Sequence, residues 1–146
     1  MLVTTHILSA LLLGKYLGHT TAILLGAFLI DFDHLYHAFK HSKRKGGFFK
    51  AGLELIKPHP EIDDSRTFMH SILGWFLVSI IIYAFAPTFA IYFSIGYALH
   101  LVLDALDTSK LHLFYPSTYD VVGPVEFNSV LEYTIAIVMF IIYFWF

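Results

Sequence analysis

The sequence of 146 residues contains no cysteine, and few of its residues carry charge. The absence of cysteine excludes disulfide bonds and thiolate metal sites, so a bound metal would need histidine, aspartate or glutamate ligands. Charged residues make up 14% of the chain, against about 25% in soluble domains. The net charge of −2 gives no sign of a basic surface for nucleic acid, so we expect no nucleic-acid partner.

Apolar and aromatic side chains are abundant instead. Hydrophobic residues make up 58% of the sequence, compared with about 45–50% in soluble domains. Aromatic residues account for 18% of the chain, which suits lipid-facing surfaces and the aromatic belts at a membrane interface. We therefore predict an integral membrane protein with a single domain over residues 1–146.

Four apolar blocks divide the chain, at about residues 7–30, 72–86, 89–106 and 130–146. A spanning helix needs about 20 apolar residues, so the second block is a little short and the third and fourth are adequate. Pro87 and Thr88 predict a tight turn, which makes the second and third blocks a helical hairpin. The expected fold is an all-α, polytopic membrane bundle of four to five helices.

The first block is interrupted at Gly18 and His19, which leaves two possibilities. It is either one span or a hairpin of two short helices, and we favour the hairpin. Gly18 suits a helix C-cap, and Thr20 or Thr21 suits the N-cap of a second helix. The choice matters for His6, because only a hairpin returns it to the end at which the block finishes. The block lacks a preceding basic segment, so we expect it to be retained rather than cleaved as a signal.

Two polar connections separate the blocks. The first, residues 37–68, contains seven of the nine Lys and Arg residues and a short stretch, Leu53–Ile56, that suggests an interfacial helix. The second, residues 107–129, contains Pro116, Gly123 and Pro124 and is expected to be an ordered loop. The positive-inside rule places the basic connection in the cytoplasm. The ends of the apolar blocks that adjoin it then lie at the cytoplasmic face of the inner membrane.

Histidine and aspartate residues, which can bind a metal, lie at those block ends. His100 and Asp104 are four residues apart, so a helix places them on one face. The other histidine and aspartate residues at these ends are His6, Asp31, Asp33, His34 and His70. Ionisable groups are costly in a membrane and need partners. Topology brings several of these groups to the same face, so we predict that they converge.

Imidazole and carboxylate groups are typical ligands of Zn²⁺, and this set is large enough for two ions. Asp31 and His34 share a helix face at a spacing of three residues. Arg66 lies one helical turn before His70 and is predicted to hold a phosphate. Asp33 is a further possible ligand, or the general base if it does not bind metal. Ser71 is expected either to orient a ligand or to cap the next helix.

Three motifs together resemble a known family, the YdjM-like inner-membrane metal-dependent hydrolases. They are Asp31-Phe32-Asp33-His34, Arg66-x-x-x-His70-Ser71 and Gly96-Tyr97-x-x-His100-x-x-x-Asp104, and Thr5-His6 precedes them. The resemblance covers nearly the whole chain. It departs from the family pattern at four places, namely Ile30 for Pro, Ser65 for His, Met69 for Thr, and Asp107-Thr108 for Thr-Pro.

This resemblance implies a core similar to that of zinc-dependent phospholipase C and P1 nuclease. It also implies metal ligation, with zinc as the expected cofactor and two or more ions possible. The matching ligand positions are His6, Asp31, His34, His70, His100 and Asp104. The implied activity is hydrolysis of a phosphodiester, with membrane lipid as a candidate substrate.

Two other functions stay open at this point. One is a structural or adaptor membrane protein that keeps a degenerate metal site. The other is a metal-ion transporter, which would place polar groups at mid-depth, where the third block has only Ser94 and the second only Ser79. The remaining histidines are expected at the surface or the membrane interface: His19, His37, His41, His59 and His112. Asp63 and Asp64 are expected to cap the helix of the second block.

Overall fold

A computed structural model describes residues 3–31 and 68–145. In these ranges the chain forms five α-helices and no strand: α1 (Val3–Leu17), α2 (Thr20–Phe28), α3 (Ile72–Phe85), α4 (Pro87–Leu106) and α5 (Val130–Trp145). A 3-10 turn, Leu29–Asp31, follows α2 directly. The prediction of an all-α bundle with four to five helices is therefore confirmed for the described residues. The interfacial helix expected at Leu53–Ile56 lies outside them.

The first apolar block is a hairpin, as expected. Gly18 has a φ of 74°, and its N–H donates to the carbonyl of Gly14 at 2.9 Å, which ends α1. The predicted threonine N-cap is wrong, because His19 occupies the cap position without a side-chain hydrogen bond. Thr20 is already helical and lies directly against Gly14, where a Cβ would be 2.6 Å from the Thr20 Cα. The end of α1 and the start of α2 are thus in close contact.

The second hairpin also forms where it was expected. Ala86 alone separates α3 from α4, and Pro87 is the first residue of α4, where its missing N–H costs nothing. At the other end of α3, the Ser71 hydroxyl accepts from the N–H of Gly74 at 3.1 Å and caps the helix. Ser71 takes the place that we expected for Asp63 and Asp64, so that prediction is wrong. Those two residues lie outside the described ranges.

Helix α4 is the centre of the described bundle, and it packs most closely on α2. A Cβ on Gly26 would lie 2.0 Å from the carbonyl oxygen of Phe93, and a Cβ on Gly96 would lie 2.0 Å from that of Ile23. Each glycine therefore lets one backbone touch the other. The main core cluster lies along the same side of α4 and consists of Ile30, Phe93, Tyr97 and Leu101.

The connection from α4 to α5 is ordered, as predicted. Isolated bridges pair Asp107 with Val125 and Leu111 with Val121. The Asp107 carboxylate accepts from the N–H and the hydroxyl of Ser109, both at 2.8 Å. Burial raises the pKa of Asp107, but the hydrogen bonds that its carboxylate accepts, those from Ser109 among them, leave the pKa below its ordinary value. The carboxylate thus fastens the loop to the end of α4.

Among the described helices, α4 alone, with 20 residues, is long and apolar enough to cross a membrane. Helix α3 has 14 residues, which agrees with the expectation that the second block is short. Helix α5 has 16 residues, so the expectation that the fourth block is adequate is not met. The helix begins at Val130, where the block was expected to begin, and it follows a turn at Asn128 with a φ of 63°.

Candidate metal centre

Five of the predicted ligands meet at one end of the bundle. They come from four separate segments: His6 from the first turns of α1, Asp31 from the turn after α2, His70 from the approach to α3, and His100 and Asp104 from α4. The hairpin at Gly18 is what returns His6 to the Asp31 side. The predicted ligand His34 and the predicted catalytic residues Asp33 and Arg66 lie outside the described residues.

Two imidazoles and two carboxylates of this set lie close together. His100 Nε2 lies 3.3 Å from Asp104 Oδ2 and 3.6 Å from Asp31 Oδ1. His70 Nε2 lies 3.6 Å from Asp104 Oδ2 and 3.9 Å from Asp31 Oδ1. Ligand bonds of about 2.0–2.2 Å in a tetrahedral zinc site put neighbouring ligand atoms about 3.4 Å apart. The four distances between imidazole and carboxylate are close to this value. Two overlapping groups have all their ligand atoms within 4.8 Å of one another, Asp31 with His70 and His100, and His6 with His100 and Asp104.

His6 approaches the other oxygen of the same carboxylate. Its Nε2 lies 3.2 Å from Asp104 Oδ1, and its ring stacks on that of His100 with centroids 4.1 Å apart. Asp104 thus presents one oxygen to His6 and the other to His70 and His100. A carboxylate with this arrangement can bridge two cations, which agrees with the expectation of more than one ion. The ion count stays a prediction.

The protonation of His100 shows that this site needs a positive charge. Its Nδ1 lies 2.7 Å from the carbonyl oxygen of Ala27, which only accepts, so Nδ1 carries the proton. In a neutral imidazole the lone pair is then on Nε2, which faces the oxygens of Asp31 and Asp104. Two acceptors at this distance repel unless a cation or a second proton lies between them. Metal-binding histidines typically donate their other N–H to a carbonyl in this way.

The burial of these side chains adds to the need for a positive charge at the site. His70 and His100 have no exposed surface, and Asp104 is 2% exposed. A buried carboxylate is stable only when it is paired or coordinates a metal. The Asp31 side chain is 22% exposed, the largest fraction among these four. Access from outside the cluster is therefore on the Asp31 side of the described structure.

Backbone contacts hold His70 in place. The Tyr97 hydroxyl on α4 donates to the carbonyl of Met69 at 2.6 Å, and the Ser71 hydroxyl donates to that of Phe68 at 2.6 Å. Ser71 is therefore the cap of α3, as one of its two interpretations predicted, and its hydroxyl also closes the turn that contains His70. Its role in orienting a ligand stays a prediction. Sequence reasoning assigned no role to Tyr97 or Ala27. The signals for Tyr97 were its place in the motif that contains His100 and its position one turn before that residue.

The histidines expected outside the site have other partners. His19 is exposed and stacks on Tyr92, with ring centroids 3.7 Å apart. His112 Nδ1 lies 2.9 Å from Asp120 Oδ1 in the loop after α4. Both positions agree with the prediction. His37, His41 and His59 lie outside the described residues.

Comparison with known proteins gives one match. The sequence profile of the family described as YdjM inner membrane protein matches residues 1–146. No curated protein and no solved structure matches the chain, so the phospholipase C-like core stays a prediction. The match covers every motif that carries the resemblance, and it covers all five residues of the cluster. The chain belongs to the YdjM inner membrane protein family.

Proposed function

We propose that this protein is a membrane-bound metal-dependent hydrolase of phosphodiesters, including those of phospholipids. The observation that carries the proposal is the buried cluster in which His100 Nε2 faces the carboxylates of Asp31 and Asp104. This donor set contains nitrogen and oxygen only, which suits a zinc-type divalent ion. Such an ion polarises a phosphoryl oxygen and makes water a nucleophile near neutral pH.

Each residue of the cluster has a separate role in this proposal. Asp31, His70 and His100 would hold one ion together with the nearby Asp104, and His6 would contribute to a second one with Asp104. The Ala27 carbonyl keeps the proton of His100 on Nδ1 and so leaves Nε2 as a ligand. Two residues outside the described ranges complete the proposal. Asp33 acts as general base, and Arg66 binds the substrate phosphate.

The site faces the cytoplasm in this proposal. Seven of nine basic residues lie in the connection between Asp31 and His70, and both of these residues belong to the cluster. Basic connections between membrane helices are retained on the cytoplasmic side. A cytoplasmic site at the membrane surface meets the phosphate groups of the inner leaflet directly.

The direct test compares purified wild-type protein with His100→Ala. We expect the wild type to carry stoichiometric zinc and to hydrolyse a phosphodiester panel, and we expect the variant to lose both. His112→Ala is the matched control, because His112 pairs with Asp120 in the loop rather than with the cluster. Native protein free of metal would contradict the proposal.

A structural or adaptor role is the second candidate, and one observation favours it. His70, His100, Asp31 and Asp104 supply four protein ligands, and a closed set of four is typical of structural zinc. Catalytic zinc usually keeps one position for water or substrate. Stoichiometric metal without turnover on a broad panel of phosphodiesters and carboxylic esters would favour this second role.

A further inference from the structure

An apolar groove leads away from the metal centre between α1 and α2. Its volume is about 250 Å³, and it is lined by His6, Ile7, Leu24, Leu25, Ala27 and Phe28. Apart from His6, these side chains are aliphatic or aromatic. A polar ligand would therefore lose its hydrogen bonds to water in the groove without replacement, whereas a hydrocarbon chain loses none.

Two of the lining residues also belong to the metal centre. The His6 imidazole lies 3.2 Å from Asp104, and the Ala27 carbonyl accepts from His100. The inner end of the groove is thus a wall of the cluster itself. A ligand that reaches the cluster with one end has the groove available to its other end.

The outer rim of the groove consists of side chains that are exposed in the described structure. Ile7 is 36% exposed, Leu25 41% and Phe28 46%. Exposed apolar patches mark surfaces that contact a membrane or another protein, and this chain belongs to an inner membrane protein family. The rim is therefore suited to contact between the groove and the hydrocarbon region of the bilayer.

We propose that this groove binds the acyl chain of a membrane lipid whose phosphate lies at the metal centre. The inference rests on the proposed function and deepens it, since it assigns the substrate to the lipids. An anionic phosphate complements the cations that the cluster requires, and the chain complements the groove. Each methylene transferred from water into an apolar site strengthens binding by roughly fourfold.

The test uses alkylphosphonates, which the enzyme cannot hydrolyse. Binding of methylphosphonate and octylphosphonate to the zinc-loaded full chain in detergent is measured by calorimetry. We expect the octyl compound to bind about 30-fold more tightly, which corresponds to between two and three buried methylenes. Methylphosphonate reports on the metal centre alone, and the ratio of the two affinities reports on the groove.

Two variants fill the groove from opposite walls, Leu25→Trp and Ile7→Trp. We expect each to reduce the ratio to below about threefold and to leave methylphosphonate binding and zinc content unchanged. Leu77→Trp on α3 is the matched control, because Leu77 is also 41% exposed but does not line the groove. It should keep the wild-type ratio.

Equal affinities of the two phosphonates for the wild type would overturn the inference. The inference would also be overturned if both groove variants bound zinc normally and kept the wild-type ratio of octylphosphonate to methylphosphonate affinity. Failure of the proposed function is a different result, because the ratio does not depend on turnover. A protein that shows the ratio but hydrolyses no lipid would bind lipid as a structural or sensing ligand instead.

Discussion

At the scale of single residues, the chemistry of the site follows from where each proton is held. The Nδ1–H of His100 donates a hydrogen bond to the Ala27 carbonyl, which leaves Nε2 to face the carboxylates of Asp31 and Asp104. The buried Asp104 divides its two oxygens between different histidines. A cation is the simplest group that satisfies all of these atoms together.

Asp104→Asn tests this arrangement with little change in shape. The amide removes the negative charge and one acceptor from the centre of the cluster. We expect zinc affinity to fall by more than about 100-fold. Loss of a group that only supports a ligand lowers metal affinity by about 10–100-fold, so a larger loss indicates a direct ligand. Competition with a chelator measures it, and Asp120→Asn in the loop is the control. Equal zinc affinities of the two variants would remove Asp104 from the ligand set.

Tyr97→Phe tests how His70 is positioned. The variant leaves the Met69 carbonyl without the hydroxyl donor that holds the turn before His70. We expect a loss of about 0.5–1.5 kcal/mol in the free energy of unfolding, typical of one hydrogen bond, and a weaker zinc affinity. Denaturant titration and chelator competition measure the two effects. Tyr119→Phe is the control, because Tyr119 is 66% exposed. A stable variant with weakened zinc binding would still support positioning, whereas unchanged zinc affinity would contradict it.

At the scale of helices, the site depends on how closely α2 and α4 approach. Gly26 precedes Ala27 on α2, and Gly96 lies one turn before His100 on α4. Both glycines touch the backbone of the facing helix. Close packing there allows the Ala27 carbonyl to reach the His100 ring at 2.7 Å.

Gly96→Ala should therefore change metal binding as well as stability. The new Cβ would lie 2.0 Å from the Ile23 carbonyl, so the helices must separate. We expect a cost of about 1–3 kcal/mol, typical of overpacking, together with weaker zinc binding. Thermal unfolding and chelator competition measure these quantities.

The control for this prediction is Gly18→Ala. Gly18 has a φ of 74° and open space around its Cβ position, so alanine there strains the backbone without pushing helices apart. We expect it to cost about 1–2 kcal/mol and to leave zinc affinity unchanged. A similar loss of zinc affinity in both variants would mean that general destabilisation, not helix spacing, sets metal binding.

The sequence predicted the helices better than their contacts. Gly18 and Pro87 mark both hairpins because their backbone preferences are local. Thr20 misled the cap prediction, since its propensity was outweighed by its packing on Gly14. The Ala27 carbonyl was not predictable, because backbone oxygens are the same in every residue. Convergence of His6 with Asp104 was predictable only through the hairpin, which shows how one local turn determined a long-range contact.

At the scale of the molecule, the two ends of α4 are different environments. The metal cluster and the 107–129 loop lie at its C-terminal end, and the turn at Ala86 lies at its N-terminal end. A helix of 20 residues is about 30 Å long, which is enough to place its ends at opposite faces of a bilayer. In the orientation that we propose from the positive-inside rule, the cluster end is cytoplasmic.

Single cysteines test this orientation, since the native chain has none. Thr88→Cys in the turn and Ser117→Cys in the loop are both at exposed positions. We expect an impermeant thiol reagent to label the first variant in cells whose inner membrane is intact. It should label the second only after that membrane is permeabilised. The reverse pattern would place the site outside the cytoplasm.

The short first hairpin has a consequence for the membrane itself. Helix α1 has 15 residues and α2 has nine, so they are about 22 and 14 Å long, less than a hydrocarbon core of about 30 Å. When their His6 and Asp31 ends lie at the cytoplasmic surface, the turn at Gly18 lies below the opposite surface. The stacking of His19 on Tyr92 then keeps its imidazole against protein. In that arrangement lipids beside the hairpin would shorten or tilt, and we expect the protein to favour thin regions of the membrane.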